Sequence, residues 1–439
     1  MSADPCSYEY WLGPSEVKYS SSGVERSVRP AATIRRARAV LDTIGVTKVA
    51  DVTDLDRVGI PNFMTVRPHD AGPGISYYNG KGTTRADAYA GAMMEAIERH
   101  AGERYDGPVI ASSYHNLRSE HACVDPLEIH VPMVRKYSER LMLEWVLGFD
   151  LMTRRPTYAP LNCVVAPYSD PGLSLFYTST NGLASGNTRV DAVCHALCEV
   201  IERDATALAL ARAEVRPAVA AMLADIGFGE ATPTERGEVP LISLEGLPRR
   251  AAALLRKLQR AGLTVQLQNL TSAIGIPTIG CTITDPQGLP TVANTYAGCG
   301  THPDARIALT RALTEAAQSR LTCIQGGRED LPDFVPPKEA SKEASKGAPP
   351  IEARHGAGQP IRFDDLLSYQ HASVNEDVEF IIERMRQSGF DQIVVVDITR
   401  AEVGIPVVRV IVPRSEIWTL YFAHGSRASL GPRALQEIR

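Results

Sequence analysis

Apolar residues recur at helical spacing at Ile34, Ala37, Val40 and Leu41, which predicts a helix from Pro30 to Thr43. Pro30 suits the first turn of such a helix. Residues 60–66 read as a strand entered from a turn, and Thr264 to Gln268 and Thr278 to Thr284 alternate as strands do. Three continuous apolar runs, at residues 158–166, 393–397 and 407–412, read as buried strands. Three further segments share another pattern. Polar, glycine-bearing loops at residues 79–82, 178–187 and 298–303 each lead into a long helix, the third running to about Cys323.

These loop-and-helix units are copies of one another. Sliding residues 82–99 onto 186–203, an offset of 104, matches Gly82 with Gly186, Thr84 with Thr188, Arg85 with Arg189 and Asp87 with Asp191. Glu95-x-Ile97-Glu98-Arg99 then meets Glu199-x-Ile201-Glu202-Arg203. At a further offset of 116, Ala308, Ala312, Leu313, Glu315 and Gln318 fall on Ala192, Ala196, Leu197, Glu199 and Glu202. A period above 100 residues is too long for a solenoid, so the units are expected to converge on one centre. Residues three apart share a helix face, and the rest of these helices is mostly apolar. A single pair of this kind is the ordinary mark of a solvated face. The repetition points inward, where carboxylates are costly unless paired or bound to a cation. Hard cations such as Mg²⁺ take oxygen ligands, and a pair of them can clamp a triphosphate. Arg99, Arg203, Arg311 and Arg320 lie on the same helices, available to carboxylates or to phosphate. Thr84 and Thr188 stand where a phosphate contact or a plain N-cap is equally placed, and capping is the preferred reading. Neither a Walker loop nor a GxGxxG fingerprint nor a kinase catalytic loop is present.

Composition narrows the class. The chain has 439 residues with 44% hydrophobic and 22% charged, ordinary for a globular protein. A formal charge of −5 gives no support for a nucleic-acid or anionic-membrane partner. No run approaches a membrane span, and no secretory signal is read in residues 1–10. The eight cysteines are scattered without a CxxC pair, which suggests reduced thiols and a cytoplasmic location. Cys194 and Cys198 flank His195 and are read as buried thiols. Cys299 sits ahead of a helix, where a lowered thiol pKa is conceivable, and His302 beside it is a candidate cap.

The motifs Asn79-Gly80-Lys81-Gly82 with Glu95-Ala96-Ile97-Glu98-Arg99, residues 181–188 with Glu199-Val200-Ile201-Glu202-Arg203, and Arg311-Ala312-Leu313-Thr314-Glu315 together resemble the YcaO family over residues 20–420. The resemblance implies a mixed α/β (α+β) fold of that family's own type, with the repeated units around a central ATP cleft. It implies ATP with two or more Mg²⁺ ions held by Glu95, Glu98, Glu199, Glu202 and Glu315. Asn187, Arg203 and Arg311 would touch nucleotide phosphates. Arg26 and Thr33, seven apart, resemble a Lys/Ser pair at the nucleotide site, and Ser185 stands beside Ala184, where a serine can occur. The implied organisation is an N-terminal segment, 1–60, that contributes to the ATP site, a core at 61–329, a Pro/Lys/Glu-rich flexible insert at 330–360, and a C-terminal part at 361–439.

The activity implied is ATP-dependent phosphorylation of a backbone amide in a peptide or protein, followed by attack of a nucleophile. A side chain of the substrate gives an azoline, and an external sulfur source gives a thioamide. The chain ends without an alternating proline run and carries no Cys-rich leader-binding domain. That favours the members that work with a separate TfuA-like protein or sulfur donor and make thioamides, in methyl-coenzyme M reductase or in ribosomally made peptides. A homodimer is compatible with this reading. The competing readings are an azoline-forming cyclodehydratase, a non-catalytic peptide-binding scaffold, and a generic ligase working through acyl phosphate. A Mg²⁺-dependent nucleotide titration separates the scaffold from the enzymes.

Overall fold

The computed structural model describes residues 4–20, 25–68, 72, 75–129, 137–168, 179–216, 219, 222, 239–287, 294–326, 359–417 and 431–438. The expected insert at 330–360 therefore lies almost wholly outside the described residues. All named strand pairs are antiparallel, so the mixture of helix and sheet is α+β.

Three sheets carry the architecture, besides a two-stranded ribbon of β1 (Tyr19–Ser20) and β2 (Glu25–Arg26). The first runs β3 (Lys48–Asp51), β4 (Asn62–Val66), β5 (Tyr77–Lys81). The second runs β6 (Val109–Ser113), β7 (Met142–Asp150), β14 (Val394–Asp397), β15 (Val407–Ile411), β9 (Leu183–Ser185), with β8 (Arg155–Pro160) also on β7. The third runs β10 (Leu241–Ile242), β11 (Thr264–Asn269), β12 (Thr278–Thr284), β13 (Thr295–Thr301). Among the helices are α1 (Tyr8–Leu12), α2 (Pro30–Arg38), α3 (Arg85–Gly102), α4 (Tyr114–Glu120), α5 (Leu161–Val164), α6 (Arg189–Leu210), α7 (Arg249–Arg260), α8 (Ala305–Gln325), α9 (Val374–Gln387) and α10 (Pro432–Ile438).

The three repeated units have one design. In each, the edge strand of a different sheet (β5, β9 or β13) turns tightly into a helix (α3, α6 or α8) that folds back beside it. The glycine-bearing segments expected as loops therefore lie partly within strands, residues 79–81 in β5, 183–185 in β9 and 298–301 in β13. The physical reason is close approach of strand and helix. A Cβ on Gly80 would stand 2.0 Å from the Ala92 amide nitrogen, and one on Gly300 would stand 2.1 Å from the Ala308 carbonyl oxygen. Glycine opposite alanine lets the backbones touch, which explains the alanine-rich helices. Gly80→Ala is expected to prevent stable folding or cost at least about 3 kcal/mol, since a backbone clash cannot relax as a side chain does. Soluble yield and the thermal midpoint measure it.

Turn chemistry follows the sequence. The Thr84 hydroxyl accepts from the Asp87 amide and the Thr188 hydroxyl from the Asp191 amide, so both threonines are N-caps. In the third unit Asp304 is the cap, and His302 supports it by accepting from the Asp304 amide at 3.0 Å. Two other expectations shorten. The helix from Pro30 ends at Arg38, and the run at 158–166 is a strand only to Pro160, then the short helix α5.

Each long helix buries its apolar face in its own core. Helix α6 packs Val193, Leu197, Val200 and Ile201 against Val408, Val410 and the α9 residues Val378, Ile381 and Ile382. Helix α3 buries Met93, Ala96 and Ile97 with Val394, Val407 and Ile411. Helix α8 packs Leu309, Ala312 and Leu313 against Leu254, Leu255, Leu258 and Ile279. A fully buried aliphatic side chain contributes about 1.5–3 kcal/mol, so these faces orient the helices, and their polar stripes are left to meet one another. Among the described residues no helix is long and apolar enough to cross a membrane.

Candidate functional site: a carboxylate-lined cleft

The polar stripes meet around a single cleft of about 560 Å³. Helix α3 supplies Glu95 and Glu98, α6 supplies His195, Glu199, Glu202 and Arg203, and α8 supplies Arg311, Glu315 and Gln318. The strand ends bring Lys81, Ser185 and Asn187, while Arg26 and Thr33 arrive from β2 and α2. All eleven site residues expected from sequence thus line one cavity.

The carboxylates stand in two groups. Glu98 is held by the Ser185 amide at 2.8 Å, and Glu95 by Arg99 Nε at 2.8 Å. Burial, with Glu95 and Glu199 nearby, pushes the Glu98 carboxyl well above its usual range, and burial likewise raises Glu199, whose oxygen lies 3.9 Å from Arg203. In the second group, burial and then Glu315 push Glu202 up to about 7. Glu315 goes the other way. Burial opposes it, but Lys81, Arg203 and Arg311 together hold its carboxyl below the usual range, with Lys81 in direct contact. One oxygen of Glu202 is buried without a hydrogen-bond partner, as is Arg311 Nε. A buried, unpartnered carboxylate oxygen asks for a cation.

This donor set fits Mg²⁺. Among the described residues no three acidic, His or Cys side chains converge tightly enough to cage an ion by themselves. Mg²⁺ needs no such cage, since it commonly takes one or two carboxylates and completes its shell with phosphate oxygens and water. Charge agrees. Asp87, Glu95, Glu98, Glu199, Glu202 and Glu315 face Arg26, Lys81, Arg99, Arg203 and Arg311 around the same cavity, so the lining is close to neutral. A triphosphate adding roughly four negative charges is then balanced by two divalent ions.

Supporting contacts fix the rim. The Thr33 hydroxyl donates to the Asn187 side-chain oxygen at 3.0 Å, and Arg36 donates to the Asn187 carbonyl at 2.8 Å. Gln318, which replaces the second glutamate of the third unit, donates instead to the Asn79 carbonyl at 2.8 Å. Arg311 lies 3.5 Å from His195 Nε2.

Three expectations change. Arg320 is not at the cleft; it is buried against Asp56 and Asp285, each at 3.0 Å. Cys299 lies in β13, and burial together with Glu202 and Glu315 raises its thiol pKa, opposite to an activated nucleophile. Ser185 uses its amide to hold Glu98 and its hydroxyl to reach the Met94 carbonyl. Cys194 and Cys198 are buried thiols as read, lining a small side cavity with His195. The residue that sequence reasoning passed over is Lys81. Its signal was its place in Asn79-Gly80-Lys81-Gly82, but only the pairing with Glu315 from a distant segment gives it a role.

The fold and cleft define a class, that of proteins in which three helices bring carboxylates and cations around one cleft whose donors fit a metal–polyphosphate. Residues 79–416 match the family model described as YcaO cyclodehydratase, ATP- and Mg²⁺-binding, and the chain belongs to the YcaO family. The chain is 36% identical to an uncharacterized protein of Methanothermobacter thermautotrophicus over 90% of its own length and 96% of the relative's. It is 30% identical to an uncharacterized protein in the tfuA 3′ region of Rhizobium leguminosarum bv. trifolii, over 97% and 96% of the two chains. Its fold is similar to the YcaO of Methanopyrus kandleri bound with AMPPCP and Mg²⁺, with a TM-score of 0.70 and 26% identity over 95% and 98% of the chains. ATP and Mg²⁺ are the cofactors of this family, and the cleft has the charges to accept them.

Proposed function

We propose that this protein uses ATP to phosphorylate a backbone amide oxygen of a peptide or protein, and that sulfur from a separate donor then replaces that oxygen to leave a thioamide. The observation that carries the amide-activating part is the pair of carboxylate groups with matching cations around one cleft. The tfuA-region relative supports the sulfur-transfer part and a separate TfuA-like partner.

In this reading Glu95, Glu98 and Glu199 hold one Mg²⁺, and Glu202 and Glu315 a second. Bound there, the metal supplies charge stabilisation for phosphoryl transfer. Asn187, Arg203 and Arg311 bind phosphate oxygens, and Lys81 keeps Glu315 ionised and aimed. Arg26 and Thr33 join from the N-terminal segment, and Thr33 orients Asn187. An amide oxygen is a poor leaving group, and phosphorylation makes it a good one. The balance is amide, ATP and hydrosulfide giving thioamide, ADP and hydrogen phosphate. The amide oxygen and the hydrosulfide proton both leave with the phosphate. The surrounding cations stabilise the charge that develops.

The family description as cyclodehydratases keeps azoline formation as the second reading. Mass spectrometry of a candidate peptide incubated with ATP, Mg²⁺, sulfide and a TfuA-like protein decides between them. The expected product carries sulfur in place of one oxygen and depends on both ATP and sulfide. Loss of water without sulfur uptake would establish the azoline reading instead.

A further inference from the structure

Helix α2 forms one wall of the cleft through Pro30 and Thr33, while Thr33 and Ala37 turn inward. Its other side is cationic. Arg29, Arg35, Arg36 and Arg38 are all exposed, and no acidic residue lies between Arg26 and Asp42. The helix dipole favours cations near the C-terminal end, but it disfavours Arg29 at the N-cap, and it does not explain why carboxylates are missing. Several exposed arginines elsewhere have acidic partners, as Arg57 has Asp285, Arg85 has Asp51, Arg118 has Glu139 and Arg386 has Glu383, while Arg256 and Arg260 on α7 are exposed without one among the described residues and lie away from the cleft. On α2 the guanidinium groups rest on other things. Arg29 lies 5.0 Å over the Tyr19 ring, Arg38 lies 5.5 Å over the Tyr89 ring, and Arg36 donates to the Asn187 carbonyl. Among the described residues none of the four has an ion-pair partner. Stacking leaves a guanidinium edge free for a carboxylate and restricts its motion, so little is lost on binding.

We propose that the solvent face of α2 is a docking surface for an acidic segment of the peptide or protein substrate, holding it at the mouth of the cleft. This rests on the peptide-modifying reading above and adds the charge of the substrate to it. A chain of net charge −5 repels such a segment over most of its surface, so an unpaired cationic ridge at the mouth both attracts and orients it. Arg36 serves also to hold Asn187, which leaves Arg29, Arg35 and Arg38 free for recognition, the last two together in the C-terminal turn of the helix.

The test uses the full-length protein and two fluorescein-labelled twelve-residue peptides of glycine with either four glutamates or four lysines. Fluorescence anisotropy is read across 50 to 500 mM salt. The glutamate peptide is expected to bind the wild type in a salt-sensitive way, and the lysine peptide not to bind. The R35E/R38E double variant should weaken binding by at least about tenfold, and R35A/R38A by less, since charge reversal adds repulsion. ATP turnover without peptide should stay unchanged in both, which also reports that they fold. R256E/R260E on helix α7, which carries five basic residues away from the cleft, makes the same change in net charge and should bind as wild type does. Equal binding by R35E/R38E and wild type, equal loss in R256E/R260E, or tighter α2-dependent binding of a dT12 oligonucleotide would each overturn the proposal. The assay involves no thioamide chemistry, so its failure is distinct from a failure of the mass-spectrometric experiment.

Discussion

Glu202→Ala is expected to abolish ATP turnover, by at least about 10³-fold, with the fold retained. Loss of a single preorganised charge-stabilising group commonly costs about 10²–10³ in rate, and this residue is proposed to hold a metal as well. Its carboxylate is buried, one oxygen has no partner, and burial together with Glu315 raises its pKa. In the absence of metal such a group destabilises the folded state. The alanine variant should therefore keep the wild-type thermal midpoint, or exceed it, when Mg²⁺ and nucleotide are left out. A residue retained only for structure would behave the other way, lowering the midpoint with little effect on turnover. Glu199→Ala should follow the same pattern, because burial raises its carboxyl too. Phosphate release and thermal unfolding, measured on the same preparations, separate the two outcomes. Near-normal turnover in either variant removes the metal assignment.

Relative to Glu202→Gln, the metal-free protein should become less stable as pH rises from about 4.5 to about 7, and Mg²⁺ with a non-hydrolysable ATP analogue should cancel that loss. The difference between the two proteins removes His100, His195 and His302, whose pKa values burial lowers and which act with the opposite sign in the same window. The folded Glu202 carboxyl titrates near 7, above the ordinary glutamate value, and Glu98 and Glu199 are raised as well. Between the two values the folded state holds more protons than the unfolded one. Its advantage is complete below the unfolded value and is lost as pH rises through the folded one. Glu315 has the opposite shift, but its window lies below the ordinary value and does not overlap. A metal takes only the deprotonated carboxylate, so affinity for the Mg²⁺–nucleotide pair should rise about tenfold between pH 6 and pH 8. Thermal shift and calorimetric titration at several pH values measure both. A difference from Glu202→Gln that is flat or rising over this window, with affinity independent of pH, would mean that the acids do not face a shared ion site.

Several elements were legible because the pattern that marks them is local. Strands at 264–269 and 278–284 follow from alternation, and those at 394–397 and 407–411 from continuous apolar runs. The capping threonines could be read from small polar residues ahead of a helix. Other features were not legible because they answer to distant segments. The glycine-bearing stretches read as loops, yet in β5 and β13 they are strand interiors whose missing side chains admit a helix from across the turn. Arg320 shares a helix with Arg311 and Glu315, but a helix has several faces, and only packing shows that Arg320 turns toward Asp56 and Asp285.

From the sequence alone came the threefold repetition, the acidic residues at helical spacing and the chemistry such residues favour, because these are properties of composition and period along one chain. Tertiary structure decided that three edge strands from three separate sheets aim their helices at one cavity, that the acids divide into two groups, and that Lys81 belongs with Glu315. Those outcomes depend on where apolar faces find their cores, and burial then sets the charge state of each carboxylate that the packing leaves facing inward.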